Sequence, residues 1–144
     1  MIRLVVFKQT PARIRRKPIE KLFKMIMKEV SDKNAQGKIN LIFTSDRKIQ
    51  KLNKCYRRTD QPTDVLSFNL EQPPGRSSIF GEIYISVETS KRQAGEYDTT
   101  LNDELLRLFC HGLLHVLGYD HIKAGDRRKM EECEKYFLKA FIVS

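Results

Sequence analysis

The stretch from Leu105 to Gly118 constrains this chain most, because it is the most apolar helix-length segment and it carries two of the histidines. With Leu105 at 0° on a helical wheel, positions 105, 106, 109, 112, 113, 116 and 117 fall in an arc from about −20° to +120°. His111 and His115 fall at about 240° and 280°, beside that stripe and not within it. A helix this apolar is expected at the centre of the fold. One turn apart, its two imidazoles can reach one ion. Gly118 stands where a helix stops with a left-handed residue, which turns the chain back and brings His121 towards the first two. All three histidines of the protein thus lie within residues 111–121.

Three imidazoles with an open fourth position are the usual frame of catalytic zinc, whereas structural zinc takes four protein ligands, commonly thiolates. His111, His115 and His121 are therefore the expected metal ligands, with zinc the default ion and nickel, cobalt or iron also accepted. Neutral ligands leave the charge of the ion uncompensated. Such a site acidifies its water and attracts an anion, and a phosphodiester suits it. Cys110 lies about 100° from His111 around the helix and is not expected to join.

The 144 residues are the size of one domain, 1–144, with enough chain to bury a core. Residues 2–7 read as a strand, Ile19–Val30 as an amphipathic helix, 38–44 as a strand, and Ser45 or Asp46 as the cap of a helix ending near Tyr56. Asp60-Gln61-Pro62 forces a loop; 64–70 and 80–86 read as strands, Glu88–Glu96 as a helix, and Asn102 or a neighbour caps the metal helix. A last helix runs from about Asp126 to Phe141 with Met130, Cys133, Phe137, Leu138 and Phe141 inward. The order β-α-β-α-β-β-α-α-α predicts an α+β fold, a small mixed four-stranded sheet packed with about five helices, the metal-binding helix central.

No apolar run approaches a membrane span, and the N-terminal apolar run is too short for a signal peptide. Three scattered cysteines without a C-x-x-C pair fit a reducing compartment, so a cytoplasmic protein is expected. A net charge of +9 favours nucleic acid as partner. Lysines and arginines at 13, 15, 16, 17, 21 and 24, with 54, 57 and 58, are candidates for an RNA track. Tyr56, Phe68, Tyr84 and Tyr119 are candidates to stack bases.

The pattern H-x-x-x-H-x-x-G-x-x-H matches the ligand spacing of the metzincin proteases, but Gly112 stands where those carry the general-base Glu. The fuller segment His111-Gly-Leu-Leu-His115-Val-Leu-Gly118-Tyr119-Asp120-His121 resembles the signature of the YbeY family, small bacterial metal-dependent endoribonucleases implicated in ribosomal RNA maturation. The block from Leu52 to Phe68 resembles that family's L-N-x-x-[FY]-R-x-x-D-x-P-T-[DN]-V-L-S-F, and Gly81-Glu82-Ile83 fits as well. Asn69 and Val116 depart from the family's usual Pro and Leu. The resemblance implies that the three histidines hold the metal and that Arg57 is the functional arginine beside it.

The chemistry is consistent with that. A guanidinium fork grips phosphate oxygens and neutralises charge that grows at phosphorus. Arg57 and His111 are the expected catalytic residues, although sequence alone leaves Arg58 as a substitute for Arg57. Either a water acidified by the ion or the 2′-hydroxyl of the RNA attacks. Asp120 is a candidate base, orienter or turn cap, with Glu82 and Asp64 as more remote acids. The reading is a single-strand-type endoribonuclease of 16S ribosomal RNA maturation and ribosome quality control, partnered by ribosomal RNA, ribosomal particles or proteins, and by neither DNA nor membrane. The alternatives are a metzincin-like metalloprotease and a non-catalytic ribosome-associated RNA-binding module. Oligomeric state is not legible.

Overall fold

The computed structural model describes residues 1–30, 36–70, 78–118 and 124–143. Nine elements follow in the expected order: β1 (Ile2–Lys8), α1 (Arg16–Val30), β2 (Gln36–Thr44), α2 (Asp46–Arg57), β3 (Val65–Asn69), β4 (Ser78–Ser86), α3 (Val87–Glu96), α4 (Leu101–Val116) and α5 (Ala124–Val143). The strands form one mixed sheet in the order β1-β2-β4-β3. β1, β2 and β4 are parallel, and β3 runs antiparallel along the edge of β4. Among the described residues no helix is long and apolar enough to cross a membrane.

Strand alternation divides the side chains between two faces. On one, Ile39 and Leu41 of β2 and Ile83 and Ile85 of β4 are wholly buried in the core they share with α1, α4 and α5. On the other, α2 packs on β3 and β4, with Ile49 buried. α4 touches α1, α3, α5, β3 and β4, which makes it the central helix. Its burial exceeds the single stripe read from the sequence. Leu108, Cys110 and Leu114, off that stripe, are buried as well because helices close over the side away from the sheet.

Two glycines allow the closest contact. A Cβ on Gly112 of α4 would fall 2.7 Å from Ile83 Cγ2 and 3.0 Å from Ser67 Oγ, and one on Gly81 of β4 would fall 2.5 Å from Val116 Cγ1. Helix and sheet each lack a side chain where the other presses in.

Capping departs from expectation at one end of α4. Thr100, not Asn102, accepts from the Asp103 amide, at 3.1 Å. Asn102 is already inside the helix, and its Oδ1 accepts the Arg15 amide at 3.0 Å, which pins the chain entering α1. Ser45 caps α2 as expected, accepting from the Lys48 amide at 3.2 Å. The first residue of α2 then clasps α3: Asp46 Oδ1 accepts from Ser86 Oγ and Thr89 Oγ1, each at 2.5 Å, and Oδ2 from Arg92 at 2.8 Å. Burial alone pushes the Asp46 carboxyl up, but these bonds and the Arg92 charge outweigh it and hold the group below its ordinary value.

Gly112→Ala is expected to lower stability by about 1–2 kcal/mol in urea denaturation, since overpacking of about 1–3 kcal/mol exceeds the helix-propensity gain of up to about 1 kcal/mol. The Asp46 clasp, with its depressed native pKa, contributes stability above the unfolded carboxylate pKa and loses it as pH falls through the native one. The loss of stability on Asp46→Asn is therefore expected at neutral pH and is expected to vanish in strong acid, as read by denaturation at both pH values.

Candidate functional site

α4 presents His111 and His115 one turn apart, each half-buried. The imidazole of His111 is engaged from α5: its Nδ1 is hydrogen-bonded to Glu134 Oε1. The ring nitrogen that a metal would take is then Nε2. Leu117 ends α4, and Gly118 follows at φ 104°, its amide donating to His115 O at 3.1 Å. That is the left-handed departure a glycine serves, and a side chain there would be strained. His121, Tyr119 and Asp120 lie outside the described residues.

Arg57 is the last residue of α2. Its Nη2 donates to the Ser67 carbonyl of β3 at 3.3 Å, and its guanidinium carbon stands 5.9 Å from the centre of the Phe68 ring. Arg58, the C-cap, turns left-handed at φ 56°. It is thus Arg57 that reaches the edge strand. Ser67 also faces the other way: its Oγ donates to the Gly112 carbonyl at 3.2 Å. One residue therefore fastens both the arginine and the helix carrying the histidines. Buried Asn53 steadies the connection after α2, accepting the Thr59 amide at 3.2 Å and donating Nδ2 to Gln61 O at 2.9 Å.

The other sequence candidates are engaged elsewhere. Asp64 Oδ1 accepts the Val65 amide at 2.7 Å, and Glu82 Oε1 accepts the Tyr84 hydroxyl at 3.3 Å. Cys110 is fully buried, and burial, with Glu134 and Cys133 nearby, pushes its thiol up to about 12. It is core, as the helical angle predicts. The nine cations proposed as one track are split by the sheet: those at 21 and 24, with 16 and 17, belong to α1 on the α4 side, and those at 54 and 57 to α2 on the opposite side. Of the proposed stacking aromatics, Tyr56, Phe68 and Tyr84 do form a row, with centroids 5.4 and 6.0 Å apart.

Glu134 is the residue that sequence reasoning passed over. Its signal was present, since Met130, Glu134, Phe137 and Phe141 recur at helical spacing and a carboxylate sits in an otherwise inward row. Position 112 bears on the metzincin spacing. It faces Ile83 and Ser67, so a glutamate has no room there.

Known proteins resemble this chain along most of its length. The sequence model described as Endoribonuclease YbeY matches residues 5–142. The curated relative from Aquifex aeolicus, named Endoribonuclease YbeY, is 38% identical over 135 residues, 93% of this chain and 89% of its own length. That from Heliobacterium modesticaldum, with the same name, is 41% identical over 132 residues, 84% of this chain and 80% of its own. A Thermotoga maritima protein solved in solution superposes with a TM-score of 0.61 at 29% identity, covering 98% of this chain and 89% of its own.

Thiol labelling checks the placement of the cysteines. Exposed Cys55 is expected to react with iodoacetamide at pH 8 and buried Cys110 only after denaturant is added, as read by peptide mass spectrometry. Fast native labelling of Cys110 would contradict its place in the core.

Proposed function

The chain belongs to the YbeY endoribonuclease family, and on that footing we propose that it cleaves RNA phosphodiester bonds as a single-strand-type endoribonuclease. Its expected place is the cytoplasm, in 16S ribosomal RNA maturation and ribosome quality control, with ribosomal RNA and ribosomal particles as partners. The observation that carries this reading is the double attachment of Ser67, whose carbonyl holds the Arg57 guanidinium and whose hydroxyl holds the backbone beside His111. A cation suited to phosphate and the helix that carries two metal-type ligands are thereby fastened to the same strand.

His111 and His115, with His121, are proposed to hold one zinc ion. The donor set fits, because ligating imidazoles commonly give their other nitrogen to a carboxylate, as His111 does to Glu134. Bound there, a divalent ion would supply a Lewis acid that polarises a phosphate oxygen or acidifies a water. Arg57 is exposed at the end of α2, anchored by one bond to Ser67, with further N–H groups to grip the scissile phosphate and neutralise the charge that grows there. The Phe68 ring beneath limits its swing. Glu134, bonded to Nδ1, would leave Nε2 of His111 for the ion.

The test is cleavage of a structured ribosomal RNA by purified protein. Metal-stripped protein is expected to be inactive, and Arg57→Ala to lose about 100- to 1,000-fold in rate with its melting temperature unchanged. Cleavage that survives both would overturn the reading, and chelator-sensitive digestion of casein would favour the protease. Glu134→Ala is expected to weaken zinc binding by about 10- to 100-fold in chelator competition, with Glu134→Gln between it and the wild type. A 2′-deoxy nucleotide at the scissile position separates attack by water, which survives it, from attack by the 2′-hydroxyl, which does not.

A further inference from the structure

The face of the sheet turned away from α4 is covered by α2 over β3 and β4, but among the described residues much of its other end is open. The strand register lays Arg3, Lys38 and Phe80 side by side in one row across β1, β2 and β4. The next row holds Asn40, Glu82 and Phe68. Phe80 is 40% exposed and Tyr56, above Phe68, 67%. From Tyr56 the rings continue edge to face through Phe68 to Tyr84. Arg57 stands over Phe68, the middle ring of the three, and its guanidinium reaches past it to the Ser67 carbonyl on the β3 edge. On the far side of that edge lies α4, bonded through Ser67 Oγ. The open face and the histidine helix are thus two sides of one strand, with Arg57 at the crossing.

We propose that single-stranded RNA lies across this open face, its bases on Phe80 and Tyr56 and its backbone between Lys38 and Arg57, before it passes over the β3 edge to the histidine helix. The proposal rests on the ribonuclease reading and extends it. Half-exposed rings offer faces on which any base stacks, and flanking cations follow the phosphates. With strands about 4.8 Å apart, the path from β2 to β3 spans about two or three nucleotides, the number that aromatic four-stranded sheets commonly hold. A protein partner is the lesser fit, because the open row combines two cations and a ring.

The experiment measures binding of a fluorescent 12-nucleotide, fully 2′-O-methylated single-stranded RNA, which resists cleavage, to the full-length protein by anisotropy. Phe80→Ala is expected to weaken binding about 5- to 100-fold. Lys38→Gln should weaken it less, and should lower the slope of log affinity against log salt by about one. Lys139→Gln, exposed on α5, is the control and should bind as wild type. Melting curves confirm that each variant is folded, and since Lys38 is only half-buried its variant keeps the test open if Phe80→Ala unfolds. If wild-type protein cleaves RNA but both face variants bind the probe as it does, the path is overturned and the ribonuclease reading stands. If those variants instead lose retention on ribosomal particles at unchanged RNA affinity, the face docks protein and the path is again overturned. A wild-type protein that neither cleaves nor binds RNA overturns both.

Discussion

The architecture depends on how closely α4 can lie against the sheet. Gly112 meets Ile83 and Ser67 where any side chain would collide, and Gly81 makes the reciprocal space for Val116. This contact sets the rotation of the helix about its axis. With position 112 turned to the sheet, His111 and His115 emerge at the side of a helix fastened to the β3 edge strand, and His111 meets Glu134 of α5. The apolar remainder of the helix then needs cover, which α1, α3 and α5 provide. Close packing of this kind has two discrete outcomes, seated or not, so the site inherits the rigidity of the core.

Arg57 reaches the same edge by a separate route. The N-terminus of α2 is clasped to α3 through Asp46, and its C-terminal connection is steadied by Asn53. With both ends of a 12-residue helix fixed, the direction of its last side chain is fixed too. The run from Leu52 to Phe68 thus has a local mechanical sense in this chain. Asn53 ties the loop, Arg57 crosses to the edge strand, Ser67 receives it, and Phe68 lies beneath it. Rigid elements, not loops, aim the guanidinium, as phosphate recognition requires.

Much of this was legible in the residues. Helical spacing marked every helix and the inward residues Met130 and Phe137, and alternation with Pro and Gly breaks marked all four strands, because local periodicity is what those signals record. Features set by tertiary contact were not legible. Thr100 outcompetes Asn102 as cap because the latter is recruited by the distant Arg15 amide. The choice between Arg57 and Arg58 turns on one left-handed residue at a helix end. The basic residues of α1 and α2 fall on opposite sides because the chain crosses the sheet between them, which no charge count reveals. Glu134 needed α5 to be docked on α4 before its carboxylate acquired a partner.

The same helix–sheet contact bears on the reaction. The histidine spacing is shared with peptidases that carry a glutamate immediately after the first ligand, and that glutamate would here occupy position 112. In this chain the position is occupied by the need for contact: Ile83 Cγ2 lies 2.7 Å from where a Cβ would start. A carboxylate there would have to displace a fully buried isoleucine and leave its own charge in an apolar core, and each is costly. Packing and peptidase base compete for one Cβ, and packing has it. The charged group brought to the strand edge instead is a guanidinium, which abstracts no proton at neutral pH and grips an anion well. Among the described residues, a strand edge that holds an arginine and is fastened to the histidine helix suits a phosphodiester better than a peptide bond.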